Sequence, residues 1–214
     1  MQTDAVLLCD PCQEQLQLVD WKERCPYCFT ADFEVENRVC TACRENPPLL
    51  NRVAAAFDYI GPGASLIRHL KYSGKPYLAK GCAAYLAAQF LELDWPMPDV
   101  IIPVPITFTH WFERGYNQSR LLADHLGEIL NKPVQEAIKR KSGEYSQAGL
   151  SKKQRLQLGS SQFSIKKDQQ LQDKCLLLID DVMTTGSTMR KCAEVLLQDC
   201  PASIYGLTVC CAIN

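Results

Sequence analysis

The run from Leu176 to Met189, Leu-Leu-Leu-Ile-Asp-Asp-Val-Met-Thr-Thr-Gly-Ser-Thr-Met, constrains the fold more than any other part of the chain. Leu176 to Ile179 is a continuous apolar stretch, the pattern of a parallel strand covered on both faces. Asp180 and Asp181 then fall at the strand's carboxyl end, the edge at which open α/β sheets bind ligands. From Thr184 to Thr188 nearly every side chain is small, so the backbone can approach a ligand closely. Met189, Cys192, Ala193, Leu196 and Leu197 keep helical spacing on one face, and Pro201 lies beyond the end. The motif therefore reads strand, loop, helix.

Such a loop suits a phosphate. Backbone N–H groups at the helix start, several hydroxyls and the positive end of the helix dipole converge on one anion. Two carboxylates beside it suit a pair of sugar hydroxyls, or Mg²⁺.

Further strands are expected at Arg52 to Tyr59, at Val100 to Pro105 and at Ile204 to Cys210, with amphipathic helices between them. Phe112 to Ser119 reads as an irregular polar loop that brings Arg114, Asn117 and Gln118 to the same sheet edge as the carboxylates. Leu121, Leu122, Leu126 and Ile129 then mark a helix, with His125 as a packing residue beside the stripe. For Lys71 and Lys75 the simpler reading is solvated charge, and phosphate contact is the functional one. Between Lys132 and Lys167 the chain holds nine Lys or Arg against two Glu, with little periodicity. A long loop in a compact domain is usually functional, here a cationic lid over a polyanion or a track for single-stranded nucleic acid.

Six of the twelve cysteines form three Cys-x-x-Cys pairs near the start: Cys9/Cys12, Cys25/Cys28 and Cys40/Cys43. In a reducing compartment that spacing points to metal. The preferred quartet is Cys25, Cys28, Cys40 and Cys43, a closed tetrahedral Zn²⁺ site on a ribbon, with a structural role. Cys9/Cys12 could instead pair with Cys25/Cys28. The remaining six cysteines are read as small buried hydrophobes.

Pro47-Pro48 divides residues 1–50, the zinc-ribbon module, from residues 51–214, the α/β domain. A net charge of −1 gives no global pull toward nucleic acid or membrane, so any such pull is local. The first residues lack a basic region followed by an apolar core, and no apolar run approaches the roughly 20 residues of a membrane span. A cytoplasmic protein without membrane insertion is expected.

The Asp-Asp-Val-Met-Thr-Thr-Gly-Ser-Thr stretch resembles the phosphoribosyl-diphosphate (PRPP) motif of type I phosphoribosyltransferases. The chain as a whole resembles the ComF family (competence protein F, also the GntX group). That likeness rests on the cysteine knuckles, Leu70-Lys-Tyr-Ser-Gly-Lys75, Pro103-Val-Pro105, Arg114-Gly-Tyr-Asn-Gln118, Gln147-Ala-Gly-Leu-Ser151 with Arg155, and the acidic motif. It implies a type I phosphoribosyltransferase fold, a parallel sheet flanked by helices. Asp180 and Asp181 would take the ribose hydroxyls and help place Mg²⁺. Thr184, Thr185, Gly186, Ser187 and Thr188 would cradle the 5′-phosphate. Pro103 and Val104, with Arg114, would approach the diphosphate, and Arg155 would lie on the loop that closes over the site. The family's link to natural transformation implies single-stranded DNA and a competence helicase as partners in the alternative, non-catalytic reading. Two departures stand out: family members usually show four cysteine knuckles, which leaves Cys9/Cys12 without its usual mate, and Leu158 replaces a common asparagine. The motif specifies the phosphoribosyl donor and is silent on the acceptor.

Overall fold

The computed structural model describes residues 8–31, 38–140 and 162–212. Four parallel strands form the sheet: β1 (Arg52–Asp58), β2 (Val100–Pro103), β5 (Cys175–Met183) and β6 (Ser203–Cys211), in the spatial order β1-β6-β5-β2. The other two, β3 (Ile138–Arg140) and β4 (Phe163–Ile165), make a separate antiparallel ribbon. The first crossover carries the chain from one edge to the other through α3 (Gly61–Tyr72) and α4 (Leu78–Glu92). β2 is followed by α5 (Phe108–Arg114) and α6 (Gln118–Leu130), and β5 by α7 (Ser187–Leu196). The parallel sheet flanked by helices is thus the architecture expected.

The core follows from the apolar runs. Ile101, Ile102, Leu176, Leu177, Leu178, Ile179 and Leu207 are buried at 1% exposure or less, as two-sided cover of a parallel sheet requires. α4 and α6 pack on each other and against the strands, while α7 lies against β4 and β3. Gly206 sets how closely α7 approaches the sheet, because a Cβ there would stand 2.7 Å from Met189 Sδ. Among the scattered cysteines, Cys82, Cys192, Cys210 and Cys211 are buried as expected. Cys175 is only half-buried, and Cys200 is exposed at a positive φ of 48° where a turn leads to β6. A turn position, unlike a strand interior, faces water whatever its side chain.

An unpaired edge of a sheet needs cover, and the N-terminal residues supply it for β1. Val19 N donates to Ala56 O at 2.9 Å and Val53 N donates to Pro26 O at 3.0 Å. Phe29 is buried in the main core, Gln89 Nε2 reaches Val19 O, and Arg24 pairs with Asp58 at 2.9 Å. At the other edge, Ile101 N donates to Pro133 O and Gln135 N to Ile101 O, so residues 133–135 cover β2.

Three local expectations change. β5 does not end at Ile179 but continues through both aspartates to Met183, because Asp180, Val182 and Met183 stay in register with Thr208, Cys210 and Cys211. The stretch from Phe112 to Ser119, read as an irregular loop, begins within α5 and ends in the first turn of α6; α5 is capped by Thr107 Oγ1, which accepts from His110 N, and ended by Gly115 at φ 78°. The cationic segment is not structureless throughout, since β3 and β4 bracket it; residues 141–161, with Tyr145, Gln147, Leu158 and Arg155, lie outside the described residues.

Candidate functional site

β5 delivers Asp180 and Asp181 to the carboxyl edge, where successive strand residues alternate in direction. The two carboxylates accordingly meet different partners. Ser119 Oγ, in the first turn of α6, donates to Asp180 Oδ1 at 2.8 Å, and the Asp181 backbone N–H donates to the same oxygen at 2.9 Å. Asp181, only 6% exposed, is held by Lys71 Nζ at 2.8 Å. Burial, with the neighbouring Asp181 charge adding to it, pushes the Asp180 carboxyl up to about 7; the Ser119 hydrogen bond and Lys71 pull the other way. Lys71 thus stands inside the site rather than as free surface charge. Neither Ser119 nor Lys71 could be placed from periodicity, since each arrives from a different element.

The loop after β5 turns at Gly186, whose φ of 68° a residue with a Cβ adopts only at a cost. Gly186 is the N-cap of α7 and offers no side chain to its first N–H groups, while Thr185 Oγ1 accepts from Ser187 N at 3.4 Å. Asp180, Thr184, Gly186, Ser187 and Thr188 line a small cavity of about 30 Å³, and Thr185 is exposed in the same loop. Helix N–H groups, hydroxyls and a closely approaching backbone are the chemistry that suits an anion.

Pro103 pairs with Ile179, and Val104 N donates to Ile179 O at 2.9 Å, so the loop after β2 starts one residue from Asp180. Asn117 Nδ2 fixes that loop by donating to Val104 O at 3.0 Å and caps α6 as well. Arg114 is turned to other neighbours: Nη1 donates to Gln118 Oε1, and its guanidinium lies 5.2 Å from the centre of the Tyr72 ring. Tyr116 hydroxyl donates to Leu70 O at 2.7 Å, fastening the end of α3 and hence Lys71. Arg114 Nε and Gln118 Nε2 are buried without a hydrogen-bond partner among the described residues. His125 is half-buried and paired with Glu128, as a packing residue would be.

The cysteine quartet forms a distinct centre. Cys25, Cys28, Cys40 and Cys43 bring their sulfurs within 4.8 Å of one another, and Cys28 and Cys40 are 3.5 Å apart. Tetrahedral zinc with bonds of about 2.3 Å needs sulfurs at roughly this spacing. Without a cation the four cannot ionise together. A hydrogen bond from Cys28 pulls Cys25 down to about 4, that same contact pushes Cys28 up, and burial pushes Cys43 up to about 12. The thiol set fits a structural zinc. Cys9 and Cys12 form a turn of their own, with Cys12 N donating to Cys9 O, apart from the quartet. No strand pair occurs in this module among the described residues; residues 32–37, between the knuckles, lie outside them.

No family model matches the sequence. The chain is 30% identical to competence protein F of Haemophilus influenzae over 197 residues, covering 88% of this chain and 83% of that one. It belongs to the competence protein F family. Within the family it is also 28% identical to the DNA utilization protein YhgH of Escherichia coli K12, over 95% of this chain and 96% of that one. Competence protein ComFC of Bacillus subtilis is 25% identical over 89% and 78%. Among solved structures, glutamine PRPP amidotransferase from B. subtilis superposes with a TM-score of 0.49 at 14% identity, over 67% of this chain and 30% of that one. A purine phosphoribosyltransferase from Pyrococcus horikoshii gives 0.38 at 20%, over 60% and 79%. Among the described residues no helix is long and apolar enough to cross a membrane.

Proposed function

We propose that the carboxyl edge of β5 is a PRPP-binding site and that the protein transfers the phosphoribosyl group to a nucleophile with release of diphosphate. The observation that carries this reading is the continuity of one element. A single strand presents Asp180 and Asp181 and passes through Met183 to the glycine-capped start of α7, so sugar-binding carboxylates and an anion seat are fixed to each other by β5 itself. Thr184, Thr185, Gly186, Ser187 and Thr188 hold the 5′-phosphate. Asp180 and Asp181 take the ribose hydroxyls, and as hard oxygen donors they suit Mg²⁺ that also binds the diphosphate. Pro103 and Val104, one residue from Asp180 in register, put backbone beside the diphosphate. Catalysis rests on holding C1′ in place and stabilising the leaving diphosphate. Titrating Mg²⁺ and PRPP into the protein while following its melting temperature tests this: the wild type is stabilised and Gly186→Val, which blocks the φ of 68°, is not. No stabilisation of the wild type would remove the reading.

A second reading has one observation of its own. The β3–β4 ribbon gathers Lys139, Arg140 and Lys166 at one place, which suits a DNA-uptake factor that handles single-stranded DNA beside a competence helicase, with PRPP as a regulatory ligand. The names of the relatives, competence protein and DNA utilization protein, agree with it.

A further inference from the structure

Beside the loop that follows β2 lies a concavity of about 610 Å³, far larger than the cavity at the α7 start and sharing no lining residue with it. α5 forms one wall. Phe108 and Trp111 present their rings there, 65% and 51% exposed, with centroids 6.2 Å apart and planes inclined by 23°. Two large rings kept in water, nearly parallel and one helical turn apart, add nothing to the core. They offer flat faces to a flat ligand.

Lys139 and Arg140 of β3 and Lys166, just after β4, line the same concavity. The carboxylate in the lining, Glu136, is already held by Lys166 at 3.3 Å and Arg120 at 3.4 Å, and Arg120 also pairs with Asp124. Those two cations and two carboxylates cancel. Among the described residues no carboxylate pairs with Lys139 or Arg140, and Arg140 lies 5.2 Å from the centre of the Phe163 ring. Exposed aromatic faces and cations without a described carboxylate partner, lining one concavity, match a chain of bases strung on phosphates. An apolar peptide would leave the cations unanswered, and an acidic one would leave the rings bare.

We propose that this cleft seats a segment of single-stranded DNA, with a base stacked on the Phe108–Trp111 pair and neighbouring phosphates on Lys139 and Arg140. The inference rests on the DNA-handling reading above and adds the place and mode of contact. The test is fluorescence anisotropy with a labelled oligothymidylate and with an abasic strand of equal length, at several salt concentrations. Wild type should prefer the base-bearing strand by roughly tenfold or more, and Phe108→Ala with Trp111→Ala should erase that preference. Lys139→Ala with Arg140→Ala should weaken both strands and flatten the salt slope by about 1.4, from about 0.7 per phosphate contact. Trp111→Phe keeps a ring and should retain affinity, while the quenching of tryptophan emission by DNA disappears. Equal binding of both strands by wild type would overturn the stacking seat. A preference for bases that survives in the aromatic variant would overturn the cleft and leave DNA handling intact. No binding at low salt would overturn the DNA-handling reading itself.

Discussion

Asp180→Asn should remove a pH dependence of stability whose sign and size follow from where the carboxyl sits. Its ordinary value of 3.8 is raised to about 7 in the folded protein, chiefly by burial and then by Asp181. Between those two values the folded state keeps a proton that the unfolded chain has lost. Unfolding therefore releases a proton, and the stability this group contributes is present at low pH and lost as pH rises toward 7. From roughly pH 5.5 to pH 7.5 the loss comes to about 2 kcal/mol at most, less where water screens the half-buried group. Urea unfolding of Mg²⁺-free protein at several pH values, for wild type and Asp180→Asn, isolates the effect, because every other titrating group is common to both. The wild-type-minus-variant difference should fall by about 1–2 kcal/mol as pH rises. A flat difference, or one that grows with pH, would refute the account of Asp180.

Lys71→Met leaves the Asp181 carboxylate buried and unpaired, and should cost about 3 kcal/mol in unfolding free energy; adding Asp181→Asn should recover much of it in a double-mutant cycle. Gly63→Ala should destabilise more than Gly206→Ala. The new Cβ would meet the fixed Asp58 backbone oxygen at 2.7 Å in the first case, and in the second mainly the movable end of Met189; melting temperatures of the two variants check the order. Metal analysis should find zinc that is lost in Cys25→Ser and retained in Cys9→Ser, and its chelation should loosen the cover of the β1 edge, read as faster hydrogen exchange at the Val53 and Val19 amides.

The parts of this protein legible in its sequence are those set by local pattern. The apolar run at Leu176 to Ile179, the small-residue loop and the helical stripe after it place β5 and α7 where they are found, and the spacing of the cysteines picks out the quartet that clusters. The continuation of β5 through Asp180 and Asp181 was not legible, because pairing with Thr208 and Cys210 on β6 overrides the poor strand propensity of aspartate. α5 is not read from the sequence although its signals are present, a Thr at the N-cap, Phe108, Trp111 and Phe112 at helical spacing and Gly115 after the last turn; it has only seven residues and buries none of them. Lys71 and Ser119 reach the carboxylates only once α3 packs on β6 and β1 and α6 packs on β5, so no one-dimensional pattern points to them.

The measurement that bears most directly on the donor site is calorimetric titration of the zinc-replete protein with PRPP and Mg²⁺, beside the Asp180→Asn/Asp181→Asn double variant. Saturable binding by wild type that vanishes in the variant is the predicted result. Wild type that takes up no PRPP, or a variant that binds it unchanged, would contradict the assignment of the β5 edge as the phosphoribosyl-donor site.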